Sequence, residues 1–199
     1  MYRSVHFMKK GEATKQKIID TAAELIHANG MNVVSVGDIL KVSETGKSQF
    51  YSHFNSRDDL IRKVLERNEK RICDAISKPL ESWDDVRSWI FMHLDFQKDY
   101  GFERGCPFGT AAYALKSNQD EERGPLQEIL DTLRDRLISF LKREMNEGRL
   151  KKRTDTKALA SFTIASIQGA LIIGLIEQNE NGIRDALEQC LAHLESYRI

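Results

Sequence analysis

Residues 35–60 read SVGDILKVSETGKSQFYSHFNSRDDL, and this stretch decides the fold. Ser35 is of a residue type that caps helices, and apolar residues follow it at helical spacing as far as Leu40. Residues 43–46 favour a turn, after which a second short helix is predicted from Lys47 to about residue 52. The stretch therefore predicts two short helices that meet across a tight turn.

The flanking sequence favours helices over strands. A first helix is predicted from Thr14, which would cap it, to Asn29 and Gly30, and a fourth from its cap at Ser56 to near Lys78. Later helices are predicted near residues 83–101, 107–118, 125–147, 155–178 and 182–197. Because only three prolines occur in 199 residues, we predict an all-α fold of about nine helices.

Composition and charge narrow the class of protein. The chain is 41% hydrophobic with a formal net charge of zero, but residues 1–71 hold 13 Lys/Arg against 9 Asp/Glu. Cys73, Cys106 and Cys190 show no spacing for zinc or for a disulfide framework, which favours a reducing cytoplasm. The longest apolar stretch, Ile164 to Ile176, is interrupted by polar residues and glycines. We therefore expect neither secretion nor a membrane span.

Polar side chains are crowded on the second short helix, where they offer donors to phosphates and base edges. The segments VGDI (36–39), GKSQFYSHF (46–54) and RDDL (57–60) closely resemble those of the TetR family of repressors. The resemblance covers about residues 14–61 in motif detail, while the later helices match in number, length and order. It implies a helix-turn-helix DNA-binding domain over residues 1–56 and an effector-binding and dimerisation domain over 57–199.

The resemblance also implies which residues contact double-stranded operator DNA. Lys47, Gln49 and Tyr51 would face the DNA, His53 would lie near a phosphate, and Arg57 replaces the usual lysine at the start of the fourth helix. The full predicted DNA-binding set is Ser35, Thr45, Gly46, Lys47, Gln49, Tyr51, His53 and Arg57. Taken singly, Tyr51 could instead pack on the first helix, Lys47 and Arg57 could be solvated charges, and His53 could be an ordinary helix-end histidine.

One segment departs from the family pattern. The family commonly has Ala-Gly-Val-Ser at the turn, whereas this chain has Ser43, Glu44, Thr45 and Gly46. An acid therefore stands where the turn glycine is usual, and glycine stands where the capping serine is usual. The geometry of the turn and the contact at Gly46 depend on how the chain accommodates this change.

The second half of the chain is rich in aromatic residues and methionine, most of which we expect in the core. The family resemblance implies a cavity for a small effector among these helices, and its mixed aromatic and apolar character suggests a hydrophobic or aromatic ligand. The predicted ligand-binding set is Trp89, Met92, His93, Phe96, Cys106, Phe108, Tyr113 and Gln168.

The segment from Gly105 to Gly109 leaves an alternative open. Cys106 precedes Pro107, a residue suited to the first turn of a helix, and a thiol at a helix N-terminus can become a reactive thiolate. With Arg104 nearby, Cys106 could sense electrophiles, as some family members do. Alternatively it is a small buried apolar residue.

The last two helices carry small residues among isoleucines and leucines, which predicts close helix contact. We expect them to form a homodimer interface as a four-helix bundle, with an intramolecular hairpin as the alternative. No glycine-rich phosphate loop, metal constellation or nucleophile with an evident base occurs, so we expect neither an enzyme nor a cofactor. A helical interaction module that does not bind DNA is the remaining rival.

Overall fold

The computed structural model describes residues 10–115 and 120–199. Over these residues the chain forms nine helices and no β-strand, which confirms the predicted all-α fold. The helices are α1 (Lys10–Asn29), α2 (Val36–Ser43), α3 (Lys47–Tyr51), α4 (Arg57–Ala75), α5 (Trp83–Asp99), α6 (Pro107–Ala114), α7 (Asp120–Asn146), α8 (Thr156–Glu177) and α9 (Asn181–Glu195).

Local capping explains where the N-terminal helices begin and end. Gly30 ends α1 with φ +90°, a conformation that glycine adopts without steric cost. The Ser35 hydroxyl accepts a hydrogen bond from the Asp38 amide, and the Asp38 carboxylate accepts one from the Ser35 amide. Ser56 caps α4 in the same way, by accepting from the Asp59 amide at 3.0 Å. These contacts satisfy amide groups that have no partner within the helix itself.

Several helix bounds differ from the sequence-based expectation. Helix α1 already includes Lys10, so Thr14 lies inside the helix and does not cap it. Helix α4 ends at Ala75 and not near Lys78. Helix α7 begins by Asp120 and carries Pro125 inside it, so it starts before the predicted residue 125. The predicted extension of α6 to residue 118 falls partly on residues 116–119, outside the described residues.

The atypical turn between α2 and α3 places Glu44 in the left-handed region, with φ +53° and ψ +40°. The turn is nevertheless well bonded. The Thr45 amide donates to the Leu40 carbonyl at 3.0 Å, and the hydroxyls of Ser43 and Thr45 lie 2.7 Å apart. An acid therefore occupies the position that usually suits glycine, and the neighbouring hydroxyls help to hold it.

Helix α4 connects the two halves of the molecule. Leu60, Ile61, Val64 and Leu65 of this helix are buried in one continuous hydrophobic core, which includes residues of α1 at one end and α7 at the other.

Helices α8 and α9 form an antiparallel hairpin with close packing. A Cβ atom at position 174 would lie 2.0 Å from the Cδ1 atom of Ile183, so any other residue there would require the buried Ile183 side chain to move.

Helix α8 is long and apolar enough to cross a membrane by length and composition alone. One side of it packs against α5, α7 and α9. The other side exposes large apolar residues, with Phe162 at 44% exposure and Ile176 at 77%. An exposed apolar face of this kind marks an interaction surface.

The strained turn yields a stability prediction. Replacing Glu44 with glycine removes the Cβ atom that the left-handed conformation disfavours, whereas Glu44→Ala removes only the exposed ion pair with Lys17. We expect the glycine variant to be more stable than the alanine variant by about 1 kcal/mol. Urea unfolding of both variants at equal protein concentration measures the difference. Equal stabilities would show that the turn is not strained.

Candidate DNA-binding face and effector cavity

Helix α3 presents a polar surface to solvent while one aromatic side chain anchors it. Phe50 is fully buried and its ring lies 5.2 Å from that of Phe54, also buried. Tyr51 is 64% exposed and does not pack into the core, although its ring meets the edge of Phe50. Lys47, Ser48, Gln49 and Ser52 are exposed as well. The helix thus has the amphipathic form that lets a recognition helix lie in a groove.

Gln49 has a second role within its own helix. Gly46 stands at the N-cap and has no side chain, so the Gln49 Oε1 atom accepts a hydrogen bond from the Gly46 amide at 2.8 Å. Gln49 therefore supplies one half of a capping box, while Gly46 has no side chain to accept the bond that a cap serine would accept. Its Nε2 group makes no further hydrogen bond within the described part of the chain, which leaves one donor group for a base or a phosphate.

Arg57 lies at the start of α4 but its guanidinium turns inward. Its Nε atom donates to the Val34 carbonyl at 3.1 Å, and its Nη2 atom donates to the Met31 carbonyl. These bonds tie α4 to the connection between α1 and α2. The sequence predicted a contact with DNA for this residue, and the structure adds a role in positioning the helix-turn-helix unit.

Other predicted DNA-binding residues are also engaged locally. The Ser35 hydroxyl donates to the Asp38 carboxylate at 2.6 Å, and this bond lowers the pKa of Asp38. The Thr45 hydroxyl is hydrogen-bonded to the Ser43 hydroxyl. His53 is half-buried between the end of α3 and the start of α1, where a Cβ atom on Gly11 would lie 3.7 Å from its ring. Contact of these residues with DNA stays a prediction.

A cavity of about 300 Å³ lies between the helix-turn-helix unit and the second half of the chain. Residues of α1, α4, α5, α7 and α8 line it, together with the start of α6. Seven of the eight residues predicted to bind ligand lie in its wall: Trp89, Met92, His93, Phe96, Cys106, Phe108 and Gln168. Tyr113 does not line the cavity. It is 77% exposed on the outer side of α6, because its position in that helix faces away from the core.

Two polar groups in the cavity wall have defined chemistry. Burial lowers the pKa of His93 to about 4, so its imidazole is neutral at pH 7. The Gln168 amide nitrogen lies 3.7 Å from the Cys106 sulfur, which stands at the N-cap of α6. Arg104, which the sequence placed near this thiol, is engaged elsewhere. Its guanidinium pairs with the Glu24 carboxylate at 3.2 Å and stacks on the Tyr100 ring.

The cavity also involves residues that the sequence did not point to. The His27 Nε2–H group of α1 donates a hydrogen bond to the Gly105 carbonyl oxygen of the α5–α6 loop at 2.8 Å. The rings of Phe96 and Tyr100 lie 5.8 Å and 5.4 Å from the His27 ring. Together with the Arg104–Glu24 ion pair, this contact fastens α1 to the loop before Cys106. We call this set of contacts between α1 and the α5–α6 loop the α1 latch. It consists of Glu24, His27, Tyr100, Arg104 and Gly105.

Comparisons with known proteins agree with this architecture. The family model described as "Bacterial regulatory proteins, tetR family" matches residues 18–64, and the one described as "Tetracyclin repressor-like, C-terminal domain" matches residues 83–190. The chain belongs to the TetR family. This TetR-family protein is therefore a DNA-binding transcriptional regulator of the ligand-responsive class, which confirms the family predicted from the motifs in residues 36–60.

Individual relatives extend over most of the chain. The helix-turn-helix transcriptional regulator QacR of Staphylococcus aureus is 37% identical over 84% of this TetR-family chain and 88% of its own length. The transcriptional repressor DhaR of a Mycobacterium species is 27% identical over 89% of this chain and 88% of its own. A solved TetR regulatory protein from Rhodobacter sphaeroides superposes with a TM-score of 0.81 at 22% identity, covering 90% of this chain and 98% of that one. The last comparison shows a shared fold.

The geometry of Arg57 leads to a prediction that separates its two roles. Arg57→Ala leaves the Met31 and Val34 carbonyls without this donor, so we expect the free energy of unfolding to fall by about 1–3 kcal/mol. Arg57→Lys should recover only part of that loss, because one ammonium cannot reproduce the fork of the guanidinium. Urea unfolding measures both changes, with Lys70→Ala on the same helix as a control. Unchanged stability in Arg57→Ala would show that its bonds to the Met31 and Val34 carbonyls do not stabilise the fold.

Proposed function

We propose that this protein is a homodimeric, cytoplasmic repressor that binds a palindromic operator and leaves it when a small hydrophobic or aromatic effector enters the cavity. The observation that carries the proposal is the position of the cavity. Its wall includes α1 of the DNA-binding unit and the connecting helix α4 as well as residues of α5 to α8, so a ligand there touches both halves of the molecule. Binding energy can then favour one orientation of the DNA-binding unit over another.

The exposed face of α3 supports the DNA-binding part of the proposal. Lys47 supplies a mobile positive charge for a phosphate, and Tyr51 and Gln49 supply donor groups that reach outward from a helix anchored by Phe50. Val34 and Met31, at the other end of the unit, fix the start of α4 through Arg57. The recognition helix is thus held by the buried ring of Phe50, within a unit whose junction with α4 is bonded through Arg57.

The apolar face of α8 supports the dimer. Exposed or half-exposed residues with apolar or small side chains recur along it at helical spacing: Phe162, Ala165, Gly169, Ile172, Ile173 and Ile176. Because this stripe is continuous and lacks charges, burial against a second copy is favourable. Two copies of the α8–α9 hairpin would form a four-helix bundle, and its twofold axis would place two α3 helices on the two halves of a palindrome.

Two connections can carry the effect of a ligand to the DNA-binding unit. The first is α4, which contributes Asn68 and Ile72 to the cavity wall and begins at the Arg57 tie. The second is the α1 latch, which joins His27 and Glu24 to the loop before Cys106. Because both α1 and α4 contact the cavity, a ligand that displaces either one changes the distance between the two recognition helices of a dimer.

The first experiment is operator binding. Wild-type protein should shift the DNA upstream of its own gene, and the double variant Lys47→Ala, Tyr51→Ala should lose the specific shift. Lys47→Ala alone should reduce the slope of log affinity against log salt by about two, because it removes one phosphate contact from each subunit of the dimer. Lys142→Ala, which removes an exposed charge from α7, is the matched control. Equal affinity of the double variant and wild type would exclude α3 as the recognition helix.

The second experiment tests the α1 latch. Glu24→Gln with His27→Phe removes the ion pair and the hydrogen bond to the loop but keeps an aromatic ring beside Tyr100. We expect operator affinity to fall by about 3- to 30-fold, since α1 then loses its fixed orientation. Glu12→Gln makes the same charge change on α1 away from the loop, and it should bind at least as tightly as wild type. Fluorescence anisotropy at one salt concentration compares them. Tighter binding by the double variant would show that the latch does not support the DNA-bound form.

A further inference from the structure

Some charged side chains in the cavity wall already have an ion-pair partner in the protein, and one does not. The Arg67 guanidinium pairs with the Asp20 carboxylate, and the Glu24 carboxylate pairs with Arg104. Arg71 of α4 also lines the cavity, but it makes no ion pair or hydrogen bond within residues 10–115 and 120–199. Among the described residues of the cavity wall, Arg71 is therefore the charged side chain without a partner, and its charge is positive.

The cavity wall also contains an uncharged polar group. His93 of α5 lines the cavity and has no hydrogen-bond partner among the described residues. Since burial keeps its imidazole neutral, it presents one N–H donor and one nitrogen acceptor. It therefore adds a hydrogen bond to a ligand without adding a charge.

The rest of the wall suits an aromatic body. Trp89, Phe96 and Phe108 contribute ring surfaces, while Ile129 and Leu171 contribute branched aliphatic surfaces. A volume of about 300 Å³ lies at the lower end of the range for small-molecule sites, which corresponds to a ligand of two or three rings. Such a site gains most of its affinity from apolar burial and its selectivity from a few polar groups.

We propose that the effector is an aromatic carboxylate of about two fused rings, whose carboxylate pairs with Arg71 while its ring system lies among the aromatic side chains near His93. This inference rests on the proposed function, because it specifies the ligand of the same cavity. An aromatic cation fits less well, since the Glu24 carboxylate that could attract it is already paired with Arg104. Guanidinium groups also match the planar geometry of a carboxylate.

The position of Arg71 gives this contact a direct consequence. Arg71 lies on α4, four positions after Arg67, which holds Asp20 of α1. A carboxylate that draws Arg71 towards the cavity therefore acts on the helix that carries the DNA-binding unit. The same ion pair that selects the ligand contributes to the displacement of α4.

Isothermal titration calorimetry with three matched probes tests the inference. The probes are 2-naphthoate, its neutral amide 2-naphthamide and the cation 2-naphthylmethylammonium, which share one ring system and differ in charge. We expect wild-type dimer to bind 2-naphthoate about tenfold more tightly than either of the others, as one charge-assisted hydrogen-bonded pair contributes. Arg71→Ala should remove that advantage and leave binding of the amide unchanged.

Two further variants make the result specific to Arg71. Lys70→Ala removes the neighbouring exposed charge, which does not line the cavity, and should keep the preference for 2-naphthoate. Arg71→Glu should reverse the order and favour 2-naphthylmethylammonium. Equal binding of acid and amide, tighter binding of the cation, or no binding of any probe to wild type would overturn the inference. Specific operator binding is measured independently, so its loss would count against the proposed function instead.

Discussion

The rest of the structure depends on one constraint, which is that α4 must bury two faces at once. Its first half contributes Leu60, Ile61, Val64 and Leu65 to a core shared with α1, and its length also packs on α7. Arg67 adds a bond to Asp20 of α1 where the helix approaches the cavity. Because packed interfaces switch between discrete arrangements, the proposed ligand-driven displacement of α4 would affect both of its faces.

The polar side chains of the DNA-binding unit fall into two groups: some bond to the protein backbone, and others are exposed to solvent. Ser35, Gln49 and Arg57 each satisfy backbone groups of the protein itself: Ser35 and Gln49 cap α2 and α3, and Arg57 joins α4 to the segment before α2. Lys47 and Tyr51 make no such hydrogen bond to the backbone within the described residues, and both are exposed. A five-residue helix is too short to be stable alone, so its direction depends on these surrounding bonds and on the buried ring of Phe50.

Much of the fold could be predicted because helix signals are local. The caps at Ser35 and Ser56, the stop at Gly30 and the first-turn proline of α6 each act within four residues of their own position. The errors also have local causes. Pro125 resembles a helix start in sequence, yet α7 already includes Asp120, so the helix begins before the proline.

The sequence by itself determined the helices, the helix-turn-helix motif and most of the aromatic wall of the cavity, since these follow from periodicity, caps and residue type. Only the tertiary structure decided that α1 and α4 complete the cavity, that Tyr113 lies outside it and that Arg57 turns inward. His27 meets Gly105 across 78 positions, and Arg104 meets Glu24 across 80. Contacts over such separations depend on how whole helices pack, and no local spacing encodes them.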